Sequence, residues 1–140
     1  MAETPAGNVQ VTRYRFPFGI PAFEHLTGFR LLESPAWAPL VVLESESAPP
    51  VRFACAPVRL LMPDYCLELS DAEKAALEWS GGGAELILLA VLTLAEGRPP
   101  TANLLAPVVL NPETRSGVQS VQAHASYSHI HPLRQGPPCS

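Results

Sequence analysis

Three histidines near the C-terminus, His124, His129 and His131, are the only grouping in the chain with the composition of a metal site. On a strand, His129 and His131 would project from one face, as the H-x-H pair of a metal-binding barrel does. A catalytic centre takes three protein ligands and a structural one four. No carboxylate or further histidine follows His131, and the odd offset of His124 from His129 would turn it to the opposite strand face. A small-barrel metal-dependent enzyme using these three residues is therefore the weaker reading. Nucleophilic chemistry has less support still. There is no G-x-S-x-G, and Cys55, Cys66 and Cys139 show no CxxC spacing. The run from Ser80 to Gly83 has the glycine content of a phosphate loop. It follows a helical pattern rather than opening one, so no helix N-terminus would aim its amides. Glu44 and Glu46 share a strand face and could form an acid–base pair, but nothing else in the sequence completes it. No catalytic, cofactor-binding or metal residue is assigned, and the chain reads as a non-enzyme.

What remains is recognition, and charge bounds it. The net charge is −4, unevenly spread: residues 24–78 hold nine acids against four bases, the rest four against five. Without a run of Lys or Arg, direct nucleic-acid binding is not expected, because neutralising phosphates takes several cations on one face. An acidic face suits a basic protein partner. The longest apolar stretch, LILLAVLTLA at 86–95, is too short to span a membrane as a helix. The N-terminus, MAETPAGNVQ, is polar, and three cysteines fit a reducing compartment. The expectation is a cytoplasmic chain with no membrane contact, in which Cys55 and Cys66 are buried as small apolar residues.

The elements that would position these groups are mostly short strands. With 140 residues, 47% apolar, the chain can bury a core without staples, and sixteen prolines disfavour a helical bundle. Alternation over 9–16 predicts a half-buried strand with Val9, Val11 and one face of aromatic residues turned the same way. Further strands are expected at 29–33, 39–45, 51–56 and 65–69, spaced as in a barrel or sandwich. A single short helix is expected over about 70–79. Ser70 and Glu73 there form a capping box, and Ala72, Ala75, Ala76 and Trp79 make the packing stripe. The apolar run at 85–94 predicts a central strand covered on both faces, and 118–125 a last strand. The fold class is thus mainly all-β, a small antiparallel barrel-like domain over 9–133, with flexible tails at 1–8 and 134–140.

The stretch TANLLAPVVLN, 101–111, breaks this regularity. Pro107 cannot donate to a ladder, so the strand is expected to be bulged or at an edge there. The Asn103 amide could serve backbone groups that the interrupted pairing leaves open. An open edge beside Asn103 and Pro107 could also accept a partner segment.

This stretch, together with FPFGIPAFE at 16–24, Pro63-Asp64-Tyr65, Gly117-Val118-Gln119, Tyr127 and Pro132-Leu133, resembles the flagellar assembly factor FliW family in order and content. Ala22 stands where that family usually has glycine, so the turn is not expected to need a positive φ there. Glu44 replaces a common glutamine, and Ile130 lies where a basic residue is frequent. The resemblance implies a cytoplasmic, non-enzymatic regulator, a monomer when unbound, with two protein partners. One is flagellin. The other is CsrA, a basic RNA-binding translational repressor whose mRNA binding it antagonises. A flagellin-specific chaperone without a CsrA role is the alternative. The residues expected to meet partners are the acids Glu24, Glu44, Glu46, Asp64, Glu68 and Asp71, with Phe23 and Tyr65 as exposed aromatic anchors and Asn103 and Pro107 at the strand edge.

Overall fold

The computed structural model describes residues 8–81, 85–123 and 126–133. Among the described residues, nine strands and two helices form in the order β1 (Gln10–Arg15), β2 (Gly28–Glu33), β3 (Val41–Ser45), β4 (Arg52–Pro57), α1 (Val58–Leu61), α2 (Asp71–Leu77), β5 (Ile87–Thr93), β6 (Thr101–Ala102), β7 (Val108–Asn111), β8 (Ser116–Gln119) and β9 (His131–Pro132). Strands β1 to β4 make an antiparallel meander, and β4 pairs with β5, β5 with β7 and β7 with β8. A single parallel pairing, Arg15 with Ser116, closes the seven strands into a barrel. The end of β5 also carries β6, which carries β9, as a small side sheet.

The inward positions of this meander are Tyr14, Phe29, Leu31, Leu43 and Cys55, joined by Leu89, Val108, Leu110 and Phe16. Phe16 packs on Phe29 with ring centres 4.9 Å apart. Gly117 lets that ring approach, since a Cβ there would lie 2.6 Å from it. Burying each large apolar side chain of this set contributes about 1.5–3 kcal/mol, which makes the barrel interior a substantial source of stability. Burial also holds the Cys55 thiol protonated, its pKa pushed up to about 12.

Strand β5 explains its own unbroken apolar sequence. Leu89 faces the barrel interior, while Leu88, Ala90 and Leu92 face a second cluster with Val58, Tyr65, Ala102 and Leu104. Both faces are covered, so no alternation is needed. A third, smaller cluster of Leu77, Val109 and Val118 seats α2 on the sheet.

Several expectations give way here. Val9 and Val11 are exposed at 42% and 55%, and the buried face of β1 belongs to Tyr14. The stretch 65–69 is not a strand. Its amides are bound by side chains: that of Cys66 by the Tyr127 hydroxyl and that of Glu68 by Gln122. Cys66 is exposed rather than buried. A second helix, the four-residue α1, stands beside the single helix expected. Helix α2 has the predicted capping box but buries Leu77, with Ala76 and Trp79 half-covered and Ala72 and Ala75 exposed. Its αL cap is Glu78, ahead of the glycines. The strand expected over 101–111 is two strands, β6 and β7, separated at 103–107. The tails at 134–140 and, apart from Asn8, at 1–8 lie outside the described residues.

Candidate partner-binding surfaces

The strand register assembles one polar surface that the linear sequence hides. Arg13 lies opposite Arg30, Arg30 opposite Glu44 and Glu44 opposite Arg52, giving a row across β1 to β4 on the outer face. One oxygen of Glu44 accepts from Arg52 Nε at 2.7 Å, and the other lies 2.9 Å from the Arg30 guanidinium. Glu46, just beyond β3, is gripped by both ends of the Arg13 guanidinium at 2.6 and 3.2 Å. Its carboxylate lies across Gly28, where a Cβ would meet it at 2.5 Å. Hydrogen bonds from Arg52 and then Arg30 lower the Glu44 pKa, and those from Arg13 lower that of Glu46. Two of the six acids expected to meet a partner, Glu44 and Glu46, are therefore compensated by three arginines that lie scattered in the sequence. The signal lay in register about the turns between strands, not in any local pattern.

A second surface forms where 62–71 crosses the 103–107 break. Tyr65, expected as an exposed anchor, is 3% exposed. Its ring stacks on Tyr127 with centres 4.1 Å apart, and its hydroxyl donates to the Leu104 carbonyl. Burial raises its pKa, and Tyr127 adds to the shift. Arg59 donates to the Tyr65 carbonyl at 2.7 Å. The wholly buried Gln122 clasps the backbone of Glu68, accepting from its N–H at 2.8 Å and donating to its carbonyl at 2.9 Å. Pinned this way, the segment turns Asp64, Glu68 and Asp71 outward. Among the described residues neither Asp64 nor Asp71 forms an ion pair.

Asn103 does what its position promised. Its Oδ1 accepts from the amides of Leu105 and Ala106, both at 3.0 Å. The neighbouring backbone is engaged by the chain itself: Leu104 N–H with Ser128, Leu105 O with Gln122 N–H, and Pro107 O with Ser120 N–H. Pro107 is buried at the entry to β7. These groups are occupied as the barrel stands.

The third grouping is the turn at 20–27. Phe23 is half-buried, edge-on to Phe53 at 5.9 Å, and Glu24 is exposed. Ala22 has φ +76, contrary to the expectation drawn from its side chain, and its N–H donates to the Glu24 carboxylate at 3.2 Å. Gly19, at φ +65, sits where a Cβ would lie 2.5 Å from the Glu24 carbonyl oxygen. Tight closure of this loop dictates both conformations. Of the histidines, His129 is exposed and His131 lies in β9, while His124 falls outside the described residues. Among the described residues no three His, Cys, Asp or Glu side chains converge as a metal site.

A family model described as FliW protein matches residues 1–133. The chain belongs to the FliW family. It is 34% identical over 121 residues to the flagellar assembly factor FliW of Syntrophomonas wolfei, covering 86% of this chain and 77% of that one. It is 31% identical over 140 residues to the FliW of Thermotoga neapolitana, covering 95% and 92%. A crystal structure of the flagellar assembly factor FliW superposes with a TM-score of 0.77 at 31% identity, covering 88% of this chain and 86% of that one. The mainly-β closed barrel is thus that of FliW. Among the described residues no helix is long and apolar enough to cross a membrane.

Proposed function

We propose that this chain is a cytoplasmic flagellar assembly factor that acts by binding proteins and not by catalysis. It engages CsrA, antagonises the binding of that repressor to mRNA, and also binds flagellin, so that flagellin translation follows filament assembly. Membership of the FliW family over residues 1–133 carries this reading. The pinned segment with Asp64 and Asp71 facing outward supports its electrostatic part, because acids without an ion pair among the described residues steer a basic partner. Calorimetric titration of the purified chain with CsrA and with flagellin from the same organism tests it, alongside competition against flagellin mRNA. Binding of both proteins, with mRNA displaced from CsrA, is the expected result. Binding of flagellin alone reduces the function to that of a flagellin-specific chaperone, and binding of neither overturns it.

A further inference from the structure

Closure through one residue pair leaves part of β1 without a strand neighbour on one side among the described residues, and its surroundings select what can pair with it. Strand β8 begins at Ser116, opposite Arg15, the last residue of β1, so Gln10 to Tyr14 run past the end of the β7–β8 hairpin. The N–H of Arg15 points to that side and donates to the Arg115 carbonyl at 2.9 Å. Alternation along a strand then aims the backbone N–H and C=O of Val11 and Arg13 the same way. The bonds to β2 fall to Gln10, Thr12 and Tyr14, in phase with the bond from Phe16 N–H to the Thr27 carbonyl at 2.7 Å. Among the described residues, no group takes the outward pair from Val11 or Arg13.

The side chains beside this edge are apolar and then cationic. Val11 is 55% exposed, and the side chains of Arg13 and Arg15 are 75% and 61% exposed. Arg13, Arg15 and Arg115 share a surface depression of about 490 Å³ floored by Gly28, with Glu46 as its only carboxylate. Arg15 has only a loose pair with Glu78 at 3.4 Å. A second copy of the chain, adding β1 to β1, would bring these arginines against their own counterparts, which like-charge pairing across strands disfavours. Edge charges of this kind repel copies and basic strands alike while leaving an acidic one admissible.

We propose that the free edge of β1 is a docking site for an extended acidic segment of another protein. The segment adds as a strand to the backbone of Val11 and Arg13, and its carboxylates meet Arg15 and Arg115, the Arg13 side chain being held by Glu46. This site is separate from the acidic segment at 62–71 and of opposite charge, so it goes beyond the proposed function and survives if CsrA does not bind.

Amide hydrogen exchange on the full chain tests it, with a short peptide alternating valine and glutamate as probe and its valine–lysine counterpart as control. The glutamate peptide slows exchange at Val11 and Arg13, and the lysine peptide does not. Val11→Pro removes only the outward N–H, a substitution that edge strands tolerate, and weakens glutamate-peptide binding at least about tenfold. A variant carrying Arg15→Glu and Arg115→Glu, checked for folding by circular dichroism, reverses the preference between the two peptides. Absence of protection, equal protection by both peptides, or protection that rises with protein concentration alone overturns the proposal. The last of these would show that a second copy occupies the edge.

Discussion

Glu44 and Asp64 come from the same acid-rich half of the sequence and end in opposite situations. Glu44 sits between two arginines on the flat outer face of the meander, its charge met within 3 Å on both sides. Asp64 projects from a segment whose neighbour Tyr65 is driven into the core. The outer face is an ion-pair lattice assembled by register, and the 62–71 segment is a display platform nailed down by one buried ring. Charge counted along a sequence cannot separate them, because compensation depends on which strands become neighbours. For a partner, the uncompensated acids are the ones with charge to offer.

The comparison breaks most directly at Tyr65. Truncating it to alanine removes a buried ring, its stack on Tyr127 and its bond to the Leu104 carbonyl. Tyr65→Ala should cost about 3–5 kcal/mol in urea denaturation. If Glu44→Gln costs as much, the platform is no more anchored than the lattice and the contrast fails. A smaller loss is expected at the other side of the platform. Asn103→Ala strands the amides of Leu105 and Ala106 and should cost about 1–2 kcal/mol, as loss of a capping side chain does. Asn103→Asp retains the acceptor and should recover most of that stability.

These two residues also mark what was legible in advance. The capping role of Asn103 could be read from an asparagine placed before a proline in an apolar strand, since both are local devices. The capping box of α2 and the double coverage of β5 were local in the same sense. Tyr65 was not legible as core, because its partners Leu104 and Tyr127 are far off in sequence. The Arg13–Arg30–Glu44–Arg52 row was invisible for the same reason: a one-residue slip in any pairing would have sent its members to different faces. Val9 and Val11 misled because their alternation names two faces without saying which is inside. Ala22 misled in another way, since its type predicts φ below zero and loop closure at Gly19 overrides it.

Partner binding gives the next measure. Asp64→Lys combined with Asp71→Asn should weaken association with CsrA about tenfold at low salt, an effect that fades as salt screens it. Neutralising Glu44 and Glu46 together should change affinity less, because their charge is already met by Arg13, Arg30 and Arg52. The reverse ranking, read by titration calorimetry over a salt series, would move the partner site onto the barrel face. A smaller effect lies outside both regions. Ala22→Gly relieves a positive φ and should stabilise the fold by about 0.5–1 kcal/mol, the strain less the extra chain entropy of glycine. A lower thermal midpoint for this variant would mean that the alanine methyl contributes packing worth more than the strain.

The smallest expected effect is the one that defines the lattice. The pKa values of Glu44 and Glu46 are lowered in the folded state, chiefly by hydrogen bonds from Arg52 and Arg13 respectively. A carboxylate with a depressed folded pKa contributes stability that is complete above its unfolded value, about 4.3 for glutamate. That contribution is lost as the pH falls through the lower folded value, where protonation frees the arginines. The stability gap between the wild-type chain and Glu44→Gln should therefore be widest near neutral pH and close on acidification below that range. High salt should narrow it at neutral pH as well, because these groups are near solvent. Denaturation midpoints of the two chains over a pH series provide the check. A gap that stays constant from neutral to acid would mean that Glu44 acts through shape and hydrogen bonding alone, and the outer face would then be a polar surface instead of an ion-pair lattice.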